Sequence, residues 1–214
     1  MIIIRPDISH FLSNLRVLAA SLFIYFGFLN AVYAQDQSGN SNAADIINVE
    51  GATLPKKFLG LSIGETVKYP EPWLGTSISY IGITGVAIDV YVYNPYKDTS
   101  HLFPEHFSDG DLNDHFDQVV GDVYEAQKSG YYRNVNLIES FFLTDEKNLK
   151  SYRCAEFEFE RVEEGIQVWS LVCLGLLKAN YLKVRISAVD KGFGSDLAFR
   201  ALQYLDTFSR IIKN

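Results

Sequence analysis

The chain has 214 residues, 48% of them hydrophobic, enough for one domain with a proper core. Its 19 Lys and Arg against 26 Asp and Glu give a formal net charge of −7, and the basic residues form no cluster or stripe. That balance argues against nucleic acid or an anionic membrane surface as the main partner.

The first segment reads "MIIIRPDISHFLSNLRVLAASLFIYFGFLNAVYAQDQSGNSN". Arg5 and Arg16 supply a positive start, Val17 to Leu29 is apolar apart from Ser21, and Val32 and Ala34 are small residues suited to a signal peptidase. The same stretch approaches the ~18 residues of a membrane span. The polar, Gly- and Asn-containing continuation favours cleavage after Ala34, so residues 1–34 are expected to be a signal peptide and the mature chain to begin at Gln35. No stable membrane insertion is expected after that cut.

Residues 35–53 read as a flexible leader, and 54–214 as a single domain. Leu54 to Gly75 carries Pro and Gly punctuation but also Phe58, Leu61, Ile63, Trp73 and Leu74, so it reads as an irregular arm lying on the domain. "TSISYIG" and "VAIDVYVYNPY" are two strands around a turn near Ile83 to Gly85. In the second, Val86, Ile88, Val90 and Val92 point one way, and Asp89, Tyr91 and Tyr93 the other. A helix follows in "DLNDHFDQVVGDVYEAQKSG", with Leu112, Phe116, Val119, Val120 and Val123 at helical spacing and Gly130 at its end. "YYRNVNLIESFFL" is a third strand. A closing helix is expected in "SDLAFRALQYLDTFSRII", with Ser195 as N-cap and Leu197, Ala201, Leu205, Phe208 and Ile212 on its buried stripe. The class is α+β: an antiparallel sheet of about six strands, in the order hairpin, helix, four-strand meander, helix, covered by the helices.

Cys154 and Cys173 are the chain's two cysteines. "EFEFER" alternates, with Ala155, Phe157 and Phe159 on one side and Cys154, Glu156, Glu158 and Glu160 on the other. A four-residue turn at Val162 to Gly165 pairs Arg161 with Ile166, Phe159 with Val168, Phe157 with Ser170, Ala155 with Val172, and Cys154 with Cys173. That register keeps apolar side chains together. Opposed cysteines on antiparallel strands are within bridging reach, and export supplies an oxidising compartment, so a disulfide is expected. A two-residue slip would leave two neighbouring thiols. A zinc site lacks two further ligands nearby, and no CxxC motif occurs.

A three-residue turn at Lys178 to Asn180 would pair Leu182 with Leu176, Val184 with Leu174 and Ile186 with Val172. The other face would then bring Cys173 beside Arg185, Gly175 beside Lys183 and Leu177 beside Tyr181, together with Glu156, Glu158, Trp169 and Leu171. This mixed face reads either as covered by the Leu54–Leu74 arm or a helix, with Arg185 pairing Glu156, or as a groove for a partner.

The helix "LNDHFDQVVGDVYEA", then "YRCAEFEFERVEEGIQVWSLVCL", "YLKVRISA" and "LAFRALQYLDTF" resemble the PsbP-like fold, in particular DcrB-type periplasmic proteins, over about residues 76–212. The resemblance implies a small adaptor, assembly factor or chaperone-like binder and brings no catalytic or metal signature. The chain departs from that pattern in having no lipoprotein cysteine and in the Trp- and Pro-containing arm.

"HLFPEHFSDGDLNDH" groups His101, His106 and His115 with Glu105, Asp109, Asp111 and Asp114, the best metal or general-base candidate. It matches no zincin or EF-hand spacing, and a loop leading into an acid-rich helix start accounts for the same residues. No GxSxG elbow occurs, and "KGFGSD" is a turn with an N-cap. No catalytic residue, metal or cofactor is assigned. The expected function is an exported, non-enzymatic binding module, periplasmic or secreted, whose partner is another protein or an envelope component. Its binding residues would be Trp169, Tyr181, Lys183, Arg185, Tyr91 and Tyr93. The alternative is a small hydrolase or metal-dependent enzyme using the His101–His115 loop.

Overall fold

The computed structural model describes residues 46–82, 85–95, 109–144, 150–177, 180–189 and 191–192. The expected signal peptide, the loop holding His101 and His106, and the expected closing helix lie outside these residues.

Eight strands form one antiparallel sheet: β3 (Lys57–Phe58), β4 (Leu61–Lys68), β5 (Thr76–Ile81), β6 (Val86–Tyr93), β7 (Tyr132–Thr144), β8 (Lys150–Arg161), β9 (Ile166–Leu177) and β10 (Asn180–Ala188). Their order is β3-β4-β5-β6-β10-β9-β8-β7, so β10 joins the amino-terminal strands to the meander. A separate hairpin pairs β1 (Ile46–Val49) with β2 (Ala52–Pro55). Helix α1 (Asp109–Lys128) packs on β7, β8 and β9. The α+β class holds, with more strands than the six expected.

The two largest differences from the sequence reading share a cause. Residues 46–53, assigned above to a flexible leader, contain β1 and the start of β2. The Leu54–Gly75 arm contains β3 and β4, which extend the sheet. Each hairpin closes on two residues with positive φ, Glu50 (47°) with Gly51 (83°) and Leu59 (53°) with Gly60 (83°). That backbone twist matches the twist of paired strands. A glutamate or leucine in the first turn position hides the signal that Asn-Gly would give.

The two faces of the sheet are packed differently. The disulfide face collects Phe58, Tyr80, Ile88, Val90, Val92, Leu171, Leu182, Val184 and Ile186 around Cys154 and Cys173. The β1–β2 hairpin docks on it through Val49, Ala52 and Leu54. Tyr80 Oη donates to Pro55 O at 2.7 Å and Asn180 Nδ2 to Glu50 O at 2.9 Å, fixing the hairpin at two points. On the helix face, Leu112, Phe116, Val119 and Ala126 of α1 pack against Ala155, Phe157, Val172 and Leu174.

The β8–β9 ladder has the register expected, from Arg161 opposite Ile166 to Cys154 opposite Cys173. The cysteines are bonded, with Cα atoms 4.1 Å apart and both side chains buried.

Candidate functional site

The β9–β10 ladder differs from the expectation by one residue. Asn180 pairs with Leu177, so Val184 opposes Cys173, Arg185 opposes Val172 and Lys183 opposes Leu174. A one-residue change sends every side chain to the opposite face. Leu182, Val184 and Ile186 therefore join the disulfide face, and Tyr181, Lys183 and Arg185 join the helix face.

Three corrections follow. Arg185 does not pair with Glu156, and neither Cys173 nor Gly175 lies beside Arg185 or Lys183. Trp169 is separated from the other five expected binding residues. It is buried on the disulfide face, where its Nε1 donates to Glu156 Oε1 at 2.6 Å, and Lys191 Nζ lies 3.4 Å from the same carboxylate oxygen.

The remaining five converge. β6 pairs with β10 so that Tyr93 opposes Tyr181, Tyr91 opposes Lys183 and Asp89 opposes Arg185. These six side chains form two parallel rows on the helix face. Helix α1 packs on Tyr181, whose Oη donates to Asp111 O at 3.3 Å, and its His115, Gln118 and Asp122 edge forms one wall beside the others. Trp73 and Leu74, in a short 3-10 turn, form the other. Gly75, which ends that turn, has φ 65°, and a Cβ there would lie 2.0 Å from Val92 O. Only glycine lets the turn approach β6 so closely. The Leu54–Leu74 segment thus does border the binding residues, as a wall rather than a cover.

Between the walls lie two adjacent cavities. The inner, about 50 Å³, is bounded by Tyr132, Ser170 and Arg185, and the outer, about 120 Å³, by Trp73, Tyr93 and His115. Tyr91, Val119, Asp122 and Lys183 line both.

Half-buried Lys183 holds its Nζ 4.3 Å from the centroid of the Tyr91 ring and 5.8 Å from that of Tyr93. Burial pulls its pKa below 10.5, and Asp122 opposes that shift. Arg185 donates from Nε to Ser170 Oγ at 3.1 Å and from Nη2 to Tyr132 Oη at 3.0 Å. Its guanidinium also sits 5.5 Å from the Phe159 ring centroid. Burial disfavours its charge, but Tyr132, Tyr91 and Asp89 together outweigh that and raise its pKa. Among the described residues no ion pair involves Arg185.

Asp89 accepts a 2.6 Å hydrogen bond from Ser79 Oγ. Burial lifts its carboxyl above the ordinary 3.8, against the opposing pull of Ser79, Arg185, Lys183 and Arg161. Burial also raises the Tyr91 and Tyr93 phenols well above 10, so both stay protonated. Tyr93 Oη and His115 Nε2 share a 2.7 Å hydrogen bond, and the His115 ring lies 4.3 Å from that of Tyr181. His115 is thus a helix residue clamped between two tyrosines. Among the described residues no group of three or more His, Cys, Asp and Glu is arranged to hold a metal.

The sequence reading did not include Asp122, Tyr132, Ser170 or Trp73 among the binding residues. Asp122 left a signal: it stands three residues after Val119, on the stripe that faces the sheet, where a solvent-facing acid does not belong.

No protein-family model and no curated protein matches the chain. Among solved structures it is similar to the solution structure of cyanobacterial PsbP (CyanoP) from Synechocystis sp. PCC 6803, at 11% identity and TM-score 0.45, over 83% of this chain and 96% of that one. It is also similar to the crystal structure of PA94 from Pseudomonas aeruginosa, described as a protein of unknown function and putative regulator. There the identity is 12% and the TM-score 0.37, over 74% of this chain and 92% of that one. No residue role is taken from either.

Proposed function

We propose that the protein is an exported, non-enzymatic binding module of PsbP-like, DcrB-type architecture, and that the trough between α1 and the β6–β10 pair is its binding site. The observation that carries this reading is the convergence of Tyr91, Tyr93, Tyr181, Lys183 and Arg185 beside two cavities. Tyrosine and arginine beside a small, largely apolar pocket are the composition of interface hot spots. The polar groups suit holding more than proton transfer. Asp89 is engaged by Ser79, His115 by Tyr93, and the phenols keep their protons. In this reading the closing helix covers part of the sheet and the signal is cut after Ala34. The disulfide is compatible with an oxidising compartment. The partner is another protein or an envelope component.

In-cell crosslinking followed by recovery of the exported protein tests the reading. Arg185→Gln and Tyr91→Leu should each cut partner recovery about tenfold or more. Their thermal melts should remain cooperative. Trp169, at the opposite face, should matter to the melt and not to recovery. Folded trough variants that recover the partner as the parent does would overturn the site. An intact mass of the exported chain that includes residues 1–34 would overturn the cleavage.

A further inference from the structure

The geometry points to a ligand class: we propose that the trough takes a carboxylate carried on one apolar group, with Arg185 holding the carboxylate and the Trp73–Tyr93 end holding the apolar part. This deepens the binding-module reading and rests on it.

Three observations lead there. First, a guanidinium presents five N–H donors in a planar fork. Arg185 commits Nε to Ser170 and one Nη2 hydrogen to Tyr132, and no carboxylate pairs with it among the described residues. These two bonds fix the plane of the fork at the wall of the inner cavity, so its remaining donors are pre-oriented. A fixed fork is the geometry that takes a carboxylate with two parallel hydrogen bonds.

Second, size limits the rest of the ligand. The cavities of about 50 and 120 Å³ fall well below a drug-sized pocket of roughly 300–1,000 Å³. The outer one approaches the ~150 Å³ that holds a single benzene ring. One aromatic or branched aliphatic group fits between Trp73, Tyr93 and Val119.

Third, a cationic ligand is excluded by a cation already in place. Lys183 occupies the face of Tyr91 and lies near that of Tyr93, where an incoming ammonium would bind. Asp89 and Asp122 accompany Lys183 and Arg185, so the trough holds groups of both signs. Selectivity for a carboxylate therefore comes from the fork and not from a long-range field, and Asp122 weakens the binding.

Such a ligand has two sources, a free small acid or the carboxyl end of a polypeptide. The test titrates the intact mature protein with N-acetylphenylalanine and with its uncharged amide, following backbone amide shifts of β6, β10 and α1. The acid should bind at least about tenfold more tightly than the amide. Arg185→Lys, which keeps the charge and loses the fork, should shrink that ratio to about threefold or less. Asp122→Asn should tighten the acid a few-fold. A pentapeptide of four glycines ending in phenylalanine separates the sources. Tighter binding than the single acid identifies a chain end, and equal binding a free acid.

Equal affinity of acid and amide in the trough would overturn the carboxylate and leave the binding-module reading standing. So would a ratio unchanged by Arg185→Lys in a protein that melts as the parent does. No shift with either probe also overturns the carboxylate. The wider reading falls only if partner recovery is indifferent to the trough variants as well.

Discussion

The two faces of the sheet are built from the same strands and differ in what they leave unfinished. On the disulfide face, β10 contributes Leu182, Val184 and Ile186 to a core that the β1–β2 hairpin helps to close. On the helix face, Tyr181 is buried under α1, while the alternate residues Lys183 and Arg185 line cavities beside the helix. One face is saturated with apolar contact; the other keeps cations, phenols and two cavities together. Adjacent residues of one strand therefore have opposite roles, and substitution of neighbours should separate stability from binding.

The largest effect is expected on the saturated face. Ile186→Ala removes most of a side chain that is 1% exposed and should cost about 3–4 kcal/mol in a urea melt. Lys183, three residues earlier on the same strand and on the other face, should behave differently: Lys183→Met should change stability by less than about 1 kcal/mol, because the methionine keeps the apolar stem over Tyr91. Equal losses for the two would remove the contrast between the faces.

Next in size is the cross-link. Cys154→Ala with Cys173→Ala opens a loop closed at a separation of 19 residues and should cost about 3 kcal/mol. Binding by the trough should survive in the fraction that stays folded. Loss of ligand shifts in a folded double variant would mean that the two faces are coupled.

Gly75→Ala comes third, at about 2 kcal/mol, because the backbone is left-handed there and the new methyl meets Val92 O. It should also weaken binding, since the turn carries the Trp73 wall. An unchanged melt would show that the turn does not lie against β6.

The smallest effect sharpens the electrostatics. Asp89 has a folded-state pKa above 3.8, so the folded protein keeps this proton over a window starting near 3.8 in which the unfolded chain has lost it. Its contribution to stability is therefore greatest below that window and falls as pH rises through it. Asp89→Asn keeps an acceptor for Ser79 and has no such fall. The stability difference, variant minus parent, should grow with pH across the window; a difference that shrinks would place the Asp89 pKa below 3.8.

The sequence made the β8–β9 hairpin legible because "EFEFER" alternates and Gly165 closes the turn, leaving one register that aligns the cysteines. It made Tyr91, Tyr93 and the α1 stripe legible for the same reason, a clean period. The β9–β10 register was not legible. "VWSLVCLGLL" is apolar at both parities, and both faces of β9 are buried, so hydrophobicity could not choose between a two- and a three-residue connection. That one residue carried Trp169 into the site and kept Asp122, Tyr132 and Ser170 out of it. β3 and β4 were hidden by the glycines and prolines around them, which read as punctuation of an arm when they mark turns between short strands.

The central claim is that Lys183 and Arg185 share a face with Tyr91 and Tyr132, and its most direct test is the β9–β10 register in solution. The Cys154–Cys173 pair has Cα atoms 4.1 Å apart, the close spacing of a pair without mutual hydrogen bonds. The adjacent residue Val172 must then make its close pair with β10. Nuclear Overhauser spectra of the intact protein should show an Hα–Hα contact between Val172 and Arg185. A contact between Val172 and Ile186 instead would return Arg185 and Lys183 to the side of Trp169, and the trough would not exist.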